Sequence, residues 1–349
     1  MLAGTLLGVA LGHFPRGLRA PKPQWWRALA ILSITVTVVL AFMPPTGASI
    51  TDAVIQGRVD SSKSVPVYVR VAPSTVVKDD QGIVFVSCTD MRSDQVTVQL
   101  RGTGEFESAV RDLSDGTPII VNVLRGESDV IFNASNVVSI QPLITLPYII
   151  GLETSARILF FHVPMAWISV IAYLIAMIFG VKTIRSGLPE HDDVVVATSA
   201  IGTVYAILAT ITGAVWAKFT WGAFWNWDPR QTSIFILILI YAAYFLLRSA
   251  IDDEQRRASL SAAYSIVAFA TVPFLVFVLP RLLPGLHPGS ADDVNAGPLI
   301  SPKSDDINPT KQMVFTVSLF GFTLLFYWLV NLVIRTRAVA RTVTTKESR

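Results

Sequence analysis

Six apolar stretches, residues 25–43, 164–181, 194–216, 232–247, 260–279 and 314–334, constrain this chain more than any other feature. Each approaches the ~20 residues a helix needs to cross the hydrocarbon core of a bilayer. Composition agrees: of 349 residues, 52% are hydrophobic and 15% charged, against roughly 45–50% and about 25% in soluble domains. The expected fold class is a mainly α membrane protein, a six-transmembrane-helix bundle. A net charge of +3 on scattered basic residues marks no nucleic-acid surface. With Cys88 alone and neither CxxC nor CxxCH, the chain has no disulfide framework and no covalent c-type heme attachment. It also lacks a GxxxxGKS/T phosphate loop, so any ATP-driven step belongs to a partner.

Lys and Arg favour cytoplasmic flanks. Flanks 1–27, 182–193, 248–259 and 335–349 hold fourteen of them, including Arg16. Loops 217–231 and 280–313, with Lys303, hold five, or six with Arg157. Both termini are therefore expected in the cytoplasm of a multi-pass inner-membrane protein. The first span also reads as a signal peptide ending at Thr46-Gly47-Ala48, but its long basic leader and Pro44-Pro45 favour an uncleaved anchor. The leading MLAGTLLGVALG is too short to span and reads as a membrane-surface segment or an inaccurate start.

Residues 47–146 differ in character. Period-two alternation predicts strands at 65–71, 83–88, 95–100, 118–123 and 130–140, with a short helix at 105–113 between the third and fourth. That is the order of a five-stranded OB barrel, here extracytoplasmic. The expected domains are 1–46 (tail and first span), 47–147 (OB-like β domain), 148–335 (five-helix membrane domain) and 336–349 (tail).

On the outer side, TWGAFWNWDPRQTS places Trp221, Phe224, Trp225 and Trp227 within seven residues, and Trp216 lies just upstream. Interfacial anchoring explains one or two such rings; a flat, polarizable ligand such as a porphyrin explains all of them. Asp228-Pro-Arg-Gln231 reads as a capping box opening the fourth span, with Asp228 accepting from the N3 amide and Gln231 reaching back. Arg230, in a first turn that favours anions, suits a carboxylate or a lipid phosphate. Of four histidines, His13 and His191 fall inside. His162, just before a span opened by Pro164, and His287 fall outside, at one membrane level. Singly each reads as an interfacial residue; together with the rings they suit the two faces of a heme, whose iron needs axial ligands.

ARILFFHVPMAWIS (156–169), WGAFWNWDPRQTS and GLHPGS, in that order, resemble the CcmC family of cytochrome c maturation. The resemblance implies non-covalent b-type heme with His162 and His287 as axial, metal-binding ligands. It also implies a heme platform of Trp221, Trp225, Trp227 and Asp228, with no catalytic residues. The expected partners are the heme chaperone CcmE, the ATP-binding-cassette subunits CcmA and CcmB, the small subunit CcmD, and lipid. The insert is similar in pattern to the CcmE barrel but contains no histidine, so heme attachment is not carried over and a docking or structural role is expected.

Phe224 stands where that family has a tryptophan, and LLPGL precedes His287 without tryptophans. Pro229 is shared with the heme lyase families CcsA and CcmF, which leaves a lyase-like subunit acting in thioether formation as the alternative. A heme-free transporter is disfavoured: apart from Arg27 the six stretches carry no ionisable Asp, Glu, Lys, Arg or His.

Overall fold

The computed structural model describes residues 2–14, 17–148, 153–287, 290–291 and 309–347; Arg16, Lys303 and the Pro288-Gly289 step after His287 lie outside them. In chain order the elements are α1 (Leu2–His13), α2 (Gln24–Phe42), β1 (Thr46–Gly47), α3 (Ile50–Val59), β2 (Val65–Lys78), β3 (Val84–Asp90) and β4 (Thr97–Gly102). There follow α4 (Gly104–Val110), β5 (Thr117–Ser128), β6 (Ile131–Ile140), β7 (Leu146–Pro147), a 3-10 turn (Glu153–Ile158), α5 (Leu159–Ser186) and α6 (Pro189–Trp221). The chain ends with α7 (Pro229–Ser249), α8 (Glu254–Pro273), a π-helical turn (Phe274–Val278), α9 (Leu279–Leu282) and α10 (Pro309–Glu347). It forms two compact units, Met1–Ala41 with Arg157–Arg349, and Phe42–Ala156.

In the helical unit, six segments among the described residues are long and apolar enough to cross a membrane, in agreement with the six stretches. Small residues set their spacing. A Cβ at Gly202 of α6 would stand 2.7 Å from Ala172 of α5, and one at Gly180 of α5 would stand 2.8 Å from Ser265 of α8. Both pairs of helices pack at close range because these positions have no side chain.

The leading segment packs on the helical unit along one face. α1 lies along α10, with Gly4, Gly8 and Gly12 against Thr316, Thr323 and Tyr327, and a Cβ at Gly12 would stand 2.4 Å from the Tyr327 ring. Four-residue spacing puts the three glycines on one face. The free carbonyls at the end of α1 are met by side chains: buried Lys22 donates to Gly12 O at 2.5 Å and Phe14 O at 3.1 Å, and Trp26 Nε1 donates to Leu11 O at 3.0 Å. Three of the flanking arginines are likewise neutralised. Arg248 grips Asp192 bidentately at 2.7 and 2.8 Å, while Arg337 reaches Asp193 at 3.0 Å and Arg341 at 2.5 Å. Asp192 sits in the first turn of α6, where the helix dipole favours it, with Asp193 next to it, and the two tie α6 to α7 and α10.

The second unit is a closed barrel of strand order β2-β3-β4-β6-β5. Alternation sends Val65, Val67, Val69 and Val71 of β2, Val84, Val86 and Cys88 of β3 and Leu100 of β4 inward, where they are buried with Val121 and Phe132. α4 closes one opening with Phe106 and Val110. The strands run up to seven residues beyond their expected ends. α3 was not expected, although its Ser49/Asp52 capping box is written in the sequence; buried Asp90 accepts its Ile50 N–H at 2.8 Å.

Candidate functional site

α5 begins at Leu159, so His162 stands within the helix and Pro164 follows inside it rather than opening it. Proline has no N–H, so the Phe160 carbonyl loses its donor four residues on. The Ser318 hydroxyl of α10 donates to that carbonyl instead. The His162 ring is held from α6, with Nδ1 at 2.9 Å from Ala209 O and 3.3 Å from Thr212 Oγ1. A carbonyl oxygen only accepts, so Nδ1 carries the proton and Nε2 keeps its lone pair. Gly213 makes room for the ring, since a Cβ there would stand 2.7 Å from His162 Cε1.

α6 ends at Gly222, whose φ of +83° suits glycine. After a short loop the chain enters α7 with Asp228 as N-cap and Pro229 as first residue. The cap differs from the expected box. Asp228 Oδ1 accepts from the Arg230 N–H at 2.9 Å, one residue earlier than N3. Gln231 braces the loop, accepting from Asn226 N–H at 2.9 Å and donating to Phe224 O at 3.3 Å.

The remaining acceptor capacity of Asp228 goes to the segment after α9. Its Oδ2 accepts from Leu286 N–H at 2.8 Å and His287 N–H at 3.3 Å, and its Oδ1 from His287 Nδ1 at 2.9 Å. Gly285 permits this approach, because a Cβ would stand 2.8 Å from Asp228 Oδ2. Burial alone would raise the Asp228 carboxyl pKa, but the His287 hydrogen bond and charge, with the Arg230 and Leu286 amides, hold it down to about 2. An ionised carboxylate only accepts, so Nδ1 is the donor in this pair and Nε2 is the ring nitrogen left for a metal.

The rings fall into separate groups. Trp216, Trp221 and His287 form one cluster, with Trp221 at 4.8 Å from both others and Trp216 at 5.7 Å from His287. Trp225 packs edge-on against Trp227 at 5.7 Å and Phe235 at 6.1 Å. Phe224 is exposed beneath Lys218 Nζ, 5.8 Å from its ring. Trp227 is 71% exposed and holds a φ of +56°, a conformation costing a bulky residue on the order of 1–3 kcal/mol. Thr232 Oγ1 donates to its carbonyl at 3.2 Å.

The His162 ring packs on α6 at Ala209, Thr212 and Gly213, and the His287 ring meets Trp216, three residues beyond Gly213 on the same helix. His162 lies within electrostatic reach of both His287 and Arg230, and Arg230 within that of Arg281 and Asp228. Among the described residues no cluster of His, Cys, Asp or Glu is arranged to hold a bare metal ion. Two imidazoles with Nδ1–H engaged and Nε2 open fit instead a metal that brings its own macrocycle and needs only axial donors. Sequence reasoning missed Ala209, Thr212, Gly213, Gly285 and Ser318. Small and hydroxyl residues within apolar helices were the available signal, but only a third dimension relates them to the histidines.

Comparisons with known proteins point the same way. The CcmC family model, described as heme exporter protein C, matches residues 128–349. Heme exporter protein C of Bradyrhizobium diazoefficiens is 34% identical over 123 residues, 35% of this chain and 47% of that protein. That of Paracoccus denitrificans is 30% identical over 190 residues, 54% and 74% of the two chains, and that of Escherichia coli K12 27% identical over 171 residues, 49% and 65%. The chain thus spans less than half of the Bradyrhizobium relative, and residues 1–127 precede the family match. With a match over more than half its length, the chain belongs to the CcmC family, heme exporter protein C.

Proposed function

We propose that this protein holds heme at the outer face of the cytoplasmic membrane and delivers it to a heme chaperone of the CcmE type during c-type cytochrome maturation. One observation carries the reading: His162 and His287 each have Nδ1–H committed to a fixed acceptor and Nε2 open. When bound, heme brings an iron that takes nitrogen donors on both faces. Every other duty falls to this chain. Ala209, Thr212 and Gly213 orient His162, Asp228 orients His287, and Trp216 and Trp221 give His287 an apolar wall. Trp227 and Phe224 offer exposed rings, and Trp225 a half-buried one, to a flat partner, and Arg230, with Arg281 nearby, suits the propionates. The role is delivery rather than catalysis.

Family membership supports association with CcmA, CcmB and CcmD, and the Lys/Arg distribution supports cytoplasmic flanks with the tryptophan loop outside. The domain division at 47–147 and the OB reading of the barrel belong to the same proposal, with the barrel as a heme-free docking element for the chaperone. Pro229 fills the first position of α7, where proline suits a helix start, and so lends the lyase alternative no separate support. In co-expression with CcmA, CcmB, CcmD and CcmE, His162→Ala and His287→Ala are each expected to abolish heme loading of the chaperone. Undiminished loading in both would overturn the reading. Deletion of residues 47–141 is expected to lower loading, and unchanged loading would remove the barrel from the delivery step.

A further inference from the structure

We propose that the two histidines are unequal donors, His287 being the strong, retained ligand and His162 the weak one that releases first when heme is passed on. This rests on the heme-holding reading above. The inequality lies in what each Nδ1–H meets. His287 donates at 2.9 Å to the carboxylate of Asp228, whose side chain is 0% exposed. A charged acceptor makes a hydrogen bond roughly twice as strong as a neutral one, and by drawing the Nδ1 proton it makes Nε2 more basic. His162 meets only neutral dipoles, Ala209 O at 2.9 Å and Thr212 Oγ1 at 3.3 Å. That carbonyl is also shared, since the Thr212 hydroxyl lies 3.1 Å from it.

Anchoring follows the same order. The backbone N–H of His287 donates to Asp228 Oδ2 at 3.3 Å, and its ring is flanked by Trp216 and Trp221. The His162 ring is seated by the Gly213 notch, the 2.9 Å contact to the neutral Ala209 carbonyl and one long hydroxyl contact, with no aromatic wall among the ring contacts of the described residues. Thr212 is therefore a positioning residue for the weaker ligand, and Asp228 for the stronger. In the exchange, one iron–nitrogen bond to His162 breaks as one bond to a neutral donor of the acceptor forms. No electron is transferred, and the cargo stays attached through His287 meanwhile.

The test uses the heme-loaded full chain in detergent, reduced and mixed with carbon monoxide, which enters only after a histidine leaves. Thr212→Val is expected to speed carbon monoxide entry several-fold, and Thr212→Ser to restore the wild-type rate. After photolysis, the iron–histidine stretch of the remaining ligand is expected to fall in Asp228→Asn and to stay unmoved in Thr212→Val. A shift in Thr212→Val with none in Asp228→Asn would reverse the order, and no shift in either would end the inequality. A wild-type protein without a Soret band would instead overturn the heme reading itself.

Discussion

Asp228→Ala is expected to cost this protein roughly one and a half to three orders of magnitude in heme affinity. The carboxylate accepts from the Arg230, Leu286 and His287 amides and from His287 Nδ1, at 2.8 to 3.3 Å. Truncation leaves these donors without an acceptor, and each buried, unsatisfied group costs about 1–3 kcal/mol. They share one carboxylate and relax together, so the ceiling is the cost of breaking a buried charge pair, about 3–5 kcal/mol. About 1 kcal/mol of this falls on α7 as a lost cap. The remaining ~2–4 kcal/mol falls on the placement of His287, which at about 1.4 kcal/mol per decade is roughly a 30- to 700-fold loss. Asp228→Asn keeps an acceptor for the amides and loses the charge, so about a tenfold loss is expected. Hemin titration followed at the Soret band reads affinity, and circular dichroism reads whether the helices survive. An alanine variant that binds within threefold of wild type with the same spectrum would refute the reasoning.

Gly213→Ala places a Cβ 2.7 Å from His162 Cε1, and is expected to displace that ring and convert bound heme from six- to five-coordinate, seen as a high-spin absorbance change. Gly12→Val drives a side chain into Tyr327, which a Cβ already approaches to 2.4 Å; overpacking of about 1–3 kcal/mol is expected to lower the unfolding temperature in detergent without moving the Soret maximum. Burial pushes the Cys88 thiol up to about 12, so it is expected to resist maleimide at pH 8 until the barrel is unfolded. The Asp228 carboxyl, held down to about 2, contributes stability that is full above the ordinary carboxylate pKa near 4 and is lost as pH falls through about 2. Tryptophan fluorescence of the loop is therefore expected to be flat from pH 7 to pH 5 as far as this group is concerned, with its transition below 4.

The spans were legible because a bilayer demands long apolar helices and nothing else produces six of them. The strands were legible because one barrel face is buried, which writes Val65, Val67, Val69 and Val71 at every second position. What sequence pattern missed is contact made at a distance. α1 is too short to span, yet its glycines pack on Thr316, Thr323 and Tyr327 more than 300 residues later. His162 and His287 could be picked out as candidate ligands, but the groups that hold their rings could not, because Ala209 and Asp228 lie 47 and 59 residues away along the chain. Asp228 was read as a cap from the local pattern Asp-Pro-Arg-Gln, and its bond to His287, 59 residues on, leaves no local trace.

The most direct test of the central claim is the absorbance spectrum of the protein purified from membranes, taken beside His162→Ala and His287→Ala. The account predicts a low-spin Soret band in wild type that each substitution removes or converts to a five-coordinate spectrum, with added imidazole restoring it. A wild-type spectrum without heme, or one unchanged in both variants, would contradict it.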